Sequence, residues 1–178
     1  MDWLNKVPQS WRAHVIRFGF NLHPAYRRTG GRVDYVSPDL TTIRVRLPFN
    51  RRTRNLVGSM FGGSLFAITD GPHPTLLIMA LGRDYIVWDK AASIQYKRPG
   101  RGTLYADCII TSAEIAEVRD ILTRQPEVDR VYRVELKDSS GLVHSVVERT
   151  VYIANRDHYK LKSSGGSASS VQRSSFVG

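Results

Sequence analysis

The segment from Asn55 to Asp70 restricts the possible fold more than any other part of this sequence, because it combines three glycines with large apolar residues. A glycine inside a helix costs about 1 kcal/mol relative to alanine, so glycines at positions 58, 62 and 63 need a compensating use. Either the backbone packs closely against a neighbour, or an exposed amide faces a ligand. We expect a helix that begins near Val57, and a helix this apolar must be covered by a second layer.

Alternating apolar and polar residues predict an antiparallel sheet that provides this second layer. Ile43, Val45 and Leu47 alternate with arginines, as is typical of a strand with one face in water. The predicted strands are 32–36, 41–47, 85–97, 103–111, 128–138 and 143–154. Turn residues, including a Pro-Gly pair at 99–100, are expected to join successive strands as hairpins. The pattern therefore predicts an α+β fold with one apolar helical segment on a sheet.

Three further helical segments complete the predicted order of elements. A helix over residues 8–19 has an apolar stripe of Trp11, Val15 and Ile16, which Phe18 extends. Pro72 and Pro74 must interrupt the central helix, because each lacks an amide proton and clashes with the preceding turn. Helix is expected to resume after them to about residue 81, and a short helix is predicted at 113–124.

The chain of 178 residues fits one domain, which we place at residues 1–158. From residue 159 onward the chain is rich in serine, glycine and basic residues, and the composition predicts a flexible tail over 159–178. Cys108 is the only cysteine, so no internal disulfide can form and a reducing compartment is expected. No apolar stretch reaches membrane-spanning length and no secretory core is visible, so we expect a cytoplasmic protein without membrane contact.

The formal net charge of +10 is concentrated in short loops. Arg52 and Arg54 precede the glycine segment, and Arg98 and Arg101 surround a Pro-Gly turn. Such clusters could bind a small polyphosphate as well as a nucleic acid. The simplest interpretation of these arginines is that they are solvated surface charges that maintain solubility.

The spacing of five residues in the glycine segment resembles a motif of the hotdog-fold acyl-CoA thioesterases. In the phenylacetate-pathway type the motif reads Asn, two residues, Gly, two residues, His-Gly-Gly, six residues, Asp. This chain matches it with Asn55, Gly58, Gly62, Gly63 and Asp70. Phenylalanine stands at position 61 in place of the histidine, and the uncharacterised tetrameric thioesterase-like branches look most similar. The resemblance spans roughly residues 31–154.

This resemblance implies a strongly curved antiparallel sheet wrapped around a central helix. It also implies a homodimer or homotetramer that hydrolyses acyl-CoA thioesters at a dimer interface, with no metal and no cofactor besides the coenzyme A of the substrate. Asp70 would be the general base or nucleophile, and the Gly63 amide would donate to the oxyanion, with Gly62 beside it. Asn55 would hold the attacking water or the acyl carbonyl. The helix predicted at 113–124 departs from the minimal plan of the family.

Each of these roles has an alternative. Asp70 could cap the second helix, Asn55 could cap the first, and the glycines could serve close packing alone. Phe61 offers only apolar area, so it is a candidate substrate contact, and it also raises the alternative of a catalytically silent module that binds acyl-CoA or lipid. His73 between two prolines is more often structural than catalytic.

Two sets of side chains could contact the substrate. An acyl tunnel could be lined by Met60, Phe61, Phe66 and Trp88, although such residues are usually core. The arginines at 52, 54, 98 and 101 are the candidate ligands for the phosphates of coenzyme A. A nucleic-acid-binding protein is the remaining alternative to an acyl-CoA thioesterase. Only the charge suggests it, and it is the least supported of these functions.

Overall fold

A computed structural model of the protein describes residues 7–165. It contains a six-stranded sheet with helices against it. In chain order the elements are α1 (Gln9–Leu22), α2 (Pro24–Arg28), β1 (Arg32–Val36), β2 (Thr42–Leu47), α3 (Gly62–Ala67), α4 (Pro72–Leu81), β3 (Tyr85–Tyr96), β4 (Leu104–Ile109), α5 (Ser112–Arg124), β5 (Glu127–Lys137), β6 (Val143–Asn155) and α6 (Arg156–Gly165).

The sheet is antiparallel and curved, with the strand order β1-β2-β4-β5-β6-β3. The hairpins β1–β2 and β5–β6 form as predicted. The predicted hairpin of β3 with β4 is wrong, because β3 pairs with β6 and β4 pairs with β2 and β5. The Pro-Gly segment instead crosses toward the glycine segment, where the Met60 amide donates to the Gly100 carbonyl at 2.7 Å. The segment therefore joins the edge strand β3 to the interior strand β4, with β6 and β5 between them.

The central helix is divided into α3 and α4, as the two prolines require. Gly71 makes the break with φ +93°, and Pro72 begins α4. The predicted start near Val57 is wrong, because α3 begins at Gly62. Gly58 has φ +80°, a left-handed conformation that belongs to a turn and not to a helix.

The core lies between these two helices and the inner face of the sheet. Ile68, Leu76 and Leu77 are essentially inaccessible to solvent, and so are Ile43, Val45 and Leu47 of β2. Burial of one such side chain contributes about 2 kcal/mol. This packing confirms the predicted α+β arrangement, in which the sheet covers the apolar helical segment.

Part of the apolar stripe predicted for the N-terminal helix faces solvent in α1 and not the core. Ala13 and Ile16 are buried, whereas Trp11 and Phe18 are each 63% exposed. At 100° per residue, Trp11 and Phe18 share a face that points away from the one that packs on β1. Ile16 alone of the predicted stripe is fully buried.

The tail predicted to begin at residue 159 is corrected at its start, where α6 continues to Gly165. Tyr159 packs edge-on against Trp88 with ring centroids 4.9 Å apart, and Lys162 donates to Glu127 at 2.8 Å. These two contacts stabilise α6, which the composition of this segment alone does not predict. The remainder of the predicted tail, 166–178, lies outside the described residues.

Candidate functional site

The first turn of α3 presents two backbone amides without partners. Phe61 precedes the helix in an extended conformation and provides no side-chain cap. Among residues 7–165, no hydrogen-bond acceptor is found for the amides of Gly62 and Gly63, as is usual for the first turn of a helix. These N–H groups carry the positive end of the helix dipole.

Close packing also requires glycine at both positions. A Cβ atom on Gly62 would lie 2.6 Å from the Tyr96 hydroxyl, and one on Gly63 would lie 2.4 Å from the Phe61 ring. Phe61 therefore folds over the Gly63 backbone while 54% of the residue stays exposed. Both uses predicted for these glycines are compatible with this geometry.

Asn55 organises the loop that precedes α3. Its side-chain amide donates to Ser59 Oγ at 2.9 Å, and its Oδ1 accepts from the Ser59 amide at 2.9 Å. The alternative that Asn55 caps the helix is wrong, because the helix begins seven residues later at Gly62. The left-handed Gly58 within this loop lets the chain turn back on Asn55.

A cavity of about 360 Å³ brings three of the predicted site residues together. Asn55, Gly62 and Arg98 line it, next to Leu65 and Tyr96. Such a volume is in the usual range for a small-molecule site. Arg98 is held at the rim by a 2.7 Å hydrogen bond from its Nη1 to the Val143 carbonyl.

Arg52 lies in a different cavity, of about 600 Å³, next to Arg27 and Arg28 of α2. None of these three arginines takes part in an ion pair within the described residues. Sequence reasoning missed Arg27 and Arg28, because α2 was not predicted. The structure thus separates Arg52 from Arg98, and Arg54 and Arg101 line neither cavity.

Asp70 lies beyond the other end of α3 and does not line the cavity at Gly62. Its side chain is 67% exposed. The alternative that Asp70 caps α4 is wrong, because Gly71 is the N-cap and no side chain bonds to the first turn. The partner of Asp70 is Arg149, whose Nη1 lies 3.8 Å from its Oδ1.

Arg149 is the buried charge beneath Asp70, with an exposure of 2%. Its Nε donates to Thr69 Oγ1 at 3.0 Å and its Nη2 to the Phe66 carbonyl at 2.9 Å. Its guanidinium lies 4.9 Å above the Phe66 ring. The third nitrogen, Nη1, is 3.3 Å from Oδ2 of Asp89 on β3. One arginine of β6 therefore ties the end of α3 to the edge strand β3.

Asp89 is the buried carboxyl group of this cluster. Burial raises its pKa to about 6, Arg149 opposes the rise, and the neighbouring Asp70 side chain adds to it. Its Oδ1 is buried without a hydrogen-bond donor in the described part of the chain. A bulge in β3 between Asp89 and Ala91 shifts the register at this point, as is common beside functional sites.

Sequence reasoning missed Asp89 and Arg149, although a signal for Arg149 was present. Arg149 alternates with Val147 and Val151, so the period of two places it on the buried face of β6. A buried arginine requires acceptors, and a carboxylate on a neighbouring strand is an obvious one. No comparable pattern marks Asp89.

His73 is a neutral, structural residue. It is buried, and its ring stacks on Tyr132 with centroids 4.5 Å apart. Burial, and secondly the charge of Arg149, lower its pKa to about 4. Of the residues predicted to line an acyl tunnel, Met60 lines the cavity at Gly62, whereas Trp88 stacks on Tyr152.

Two further properties bear on the candidate chemistry. In residues 7–165, histidine, cysteine, aspartate and glutamate side chains do not come together in threes in a way that could hold a metal ion. Within the same range, each helix is too short or too polar to cross a bilayer.

Solved structures identify the class of the fold. A Pseudomonas aeruginosa protein of unknown function, described as a probable thioesterase, superposes with a TM-score of 0.70 at 18% identity over 84% of this chain and 97% of that one. A Chlorobaculum tepidum protein of unknown function superposes at 0.63, with 14% identity over 78% and 91% of the two chains. A Haemophilus influenzae thioesterase superposes at 0.57, with 14% identity over 76% and 85%. These superpositions confirm the expected hotdog fold.

Within that fold, the chain belongs to the family described as a domain of unknown function, DUF4442, whose model matches residues 13–153. No curated protein matches the sequence.

Proposed function

We propose that this protein hydrolyses acyl-CoA thioesters, with Asp70 as the general base or nucleophile. The observation that carries the proposal is the position of Asp70, an exposed carboxylate at the motif position, directly above the buried cation of Arg149. The thioesterases among the structures of the same fold support the reaction class.

The chemistry assigned to Asp70 is the activation of water. Its carboxylate takes a proton as the water oxygen attacks the thioester carbon, the carbonyl oxygen gains charge, and the C–S bond then breaks to release the thiol. The Gly63 amide, with Gly62 beside it, would stabilise the charged oxygen, as the resemblance implies. Asn55 and Phe61 would contact the acyl group or the water at the same end of α3.

The distance along α3 argues that two chains form each site. The six residues of α3 span about 9 Å, so the amides at its start and Asp70 beyond its end cannot reach one thioester. A homodimer would place Asp70 of one subunit opposite Gly63 of its partner. We place the interface along β3, a long edge strand that pairs only with β6 in the described chain. The fully exposed Leu56, in the loop before α3, offers further apolar surface to a partner.

The phosphates of coenzyme A would bind to arginine. Arg98 is the best placed of the predicted residues, because it lines the cavity at Gly62. Arg52 lies in the second basic cavity, and Arg54 and Arg101 stay predictions without a cavity to support them. Guanidinium groups suit phosphate oxygens because they donate two hydrogen bonds in a fixed plane.

The test is thiol release from short, long and aromatic acyl-CoAs by the wild type and by Asp70→Asn. We expect turnover by the wild type and a loss of at least about 100-fold in kcat for the variant, because an amide cannot accept the proton from water. Asp84→Asn is the matched control, since Asp84 is an exposed aspartate in the turn between α4 and β3. Full activity of Asp70→Asn would contradict the proposal.

One observation favours the second candidate, a module that binds acyl-CoA or lipid without hydrolysing it. The Phe61 ring covers the Gly63 backbone, on the side where a Cβ would otherwise lie, and a phenylalanine cannot hydrogen-bond to a thioester. Binding of acyl-CoA without thiol release would support this candidate, and Phe61→His would then be the variant to test for a gain of turnover.

A further inference from the structure

The Asp70 carboxylate is not isolated, because a second carboxyl group faces the same guanidinium. Arg149 Nη1 lies 3.3 Å from Oδ2 of Asp89 and 3.8 Å from Oδ1 of Asp70. Two ionised carboxylates gathered at one cation repel each other, and a proton held by one of them relieves that repulsion.

We propose that Asp70 and Asp89 share one proton above Arg149, and that Asp89 is the positioning residue that holds the Asp70 carboxylate for catalysis. This inference rests on the proposed function. While Asp89 holds the proton, it is a carboxylic acid that can donate a hydrogen bond to the Asp70 carboxylate. Asp89 itself does not touch the substrate.

The burial of the two groups decides which of them holds the proton. The Asp89 side chain is 15% exposed, whereas that of Asp70 is 67% exposed. Desolvation penalises the charged form more strongly at the buried position. The buried Oδ1 of Asp89, which has no donor, is also the atom on which a proton can be placed without breaking a described hydrogen bond.

The charge balance of the site supports a single shared proton. Arg149 supplies one positive charge, so one carboxylate and one carboxylic acid give a neutral cluster. His73 on α4 is uncharged at neutral pH, because its pKa is lowered to about 4. Cys108 on β4 stays a thiol, because burial raises its pKa to about 12. Lys90, next in sequence to Asp89, is bound to Asp129 at 2.6 Å.

The proton balance of the reaction closes with this pair. As water attacks the carbonyl carbon, its proton moves to Asp70 and the pair becomes neutral with two protons. When the C–S bond breaks, one proton passes to the departing thiolate, which leaves as the thiol. The pair then returns to the state with one proton, and no other reactant is needed.

The first test follows the carboxyl carbons of the protein by NMR, with ¹³C-labelled aspartate, across the pH range. We expect the Asp89 carboxyl carbon to titrate with a raised pKa, and that pKa to be lower in Asp70→Asn, because the neighbouring negative charge is gone. Asp84→Asn should not change the Asp89 titration. An Asp89 pKa that is the same in the wild type and in Asp70→Asn would overturn the proposal. Because the wild type itself is titrated, a variant that fails to fold does not remove the test.

The second test is the pH dependence of thiol release. In the wild type, kcat/KM should fall above about pH 6, where Asp89 loses its proton. In Asp89→Asn that fall should disappear, because the asparagine amide donates to Asp70 at every pH. The same alkaline fall in both proteins would overturn the role of Asp89. A wild type that releases no thiol at any pH would contradict the proposed function, and the NMR titration would still decide whether the proton is shared.

Discussion

Individual residues show both the strength and the limit of the sequence motif. The spacing of the motif selected Asp70 and Gly62 as site residues. In the structure, Asp70 lies beside the buried charge of Arg149, and Gly62 lines a cavity. Asn55 and Gly58 occupy a loop instead of a helix, because Asn55 bonds to Ser59 and closes a left-handed turn. Asp89 could not be predicted, since an aspartate on an edge strand normally points to water and its contacts come from distant segments.

The raised pKa of Asp89 predicts how stability depends on pH. An acid with a pKa of about 6 in the folded protein, above its ordinary value, binds its proton more tightly when folded. The folded state therefore loses stability as the pH rises from about 4 to 7, by up to about 3 kcal/mol for a shift of two units. Asp89→Asn should lack this component.

The measurement is the free energy of unfolding by denaturant at several pH values for the wild type and Asp89→Asn. We expect the variant to gain stability relative to the wild type across this range, whatever its stability at pH 4. Asp84→Asn provides the baseline for the loss of one exposed carboxyl group. A constant difference between Asp89→Asn and the wild type would contradict the burial argument.

At the scale of elements, the strands follow from the sequence and some helices do not. β1 and β6 were predicted to within one residue at each end, because their alternation and turn residues are plain. α2 and α6 were missed, since each depends on tertiary contacts such as Tyr159 on Trp88. The start of α3 was misplaced because Leu56 and Val57 continue the apolar pattern while facing solvent.

The helix α5, which departs from the minimal plan, offers a test of local stability. Thr111 caps it, and its hydroxyl accepts from the Glu114 amide at 3.1 Å. Thr111→Ala should lower the free energy of unfolding by about 1 kcal/mol, whereas Thr111→Ser should lower it much less. Equal effects of the two substitutions, measured by denaturant unfolding, would mean that the cap hydrogen bond contributes nothing.

For the whole molecule, the sequence motif predicts components of a site that a single chain does not bring together. Asn55, Gly62 and Arg98 share a cavity, and Asp70 lies at the opposite end of α3. The resemblance implied this division through a dimer. Composition and periodicity could not, because they contain no information on which surface meets a second chain. Because β3 is at the edge of the sheet, its outer row of backbone groups is available to such a partner.

A composite site predicts rescue between two inactive variants. Gly63→Pro removes the oxyanion amide and Asp70→Asn removes the carboxylate. Co-expressed together, they should regain roughly a quarter of wild-type activity, since half of randomly formed dimers are mixed and each mixed dimer has one intact site. Each variant alone is the control. Folded mixed dimers without thiol release would contradict a site shared between subunits.

The position of α3 has a genetic consequence. In such a dimer, the first turn of the helix serves one site and the residue beyond its last turn serves the other. A copy damaged at Asp70 would therefore disable a site that an intact copy helps to build. In a cell that makes both copies, the lesion would not be dominant, because the damaged copy still supplies an intact Gly63 to the Asp70 of its partner and the number of active sites equals the number of intact chains.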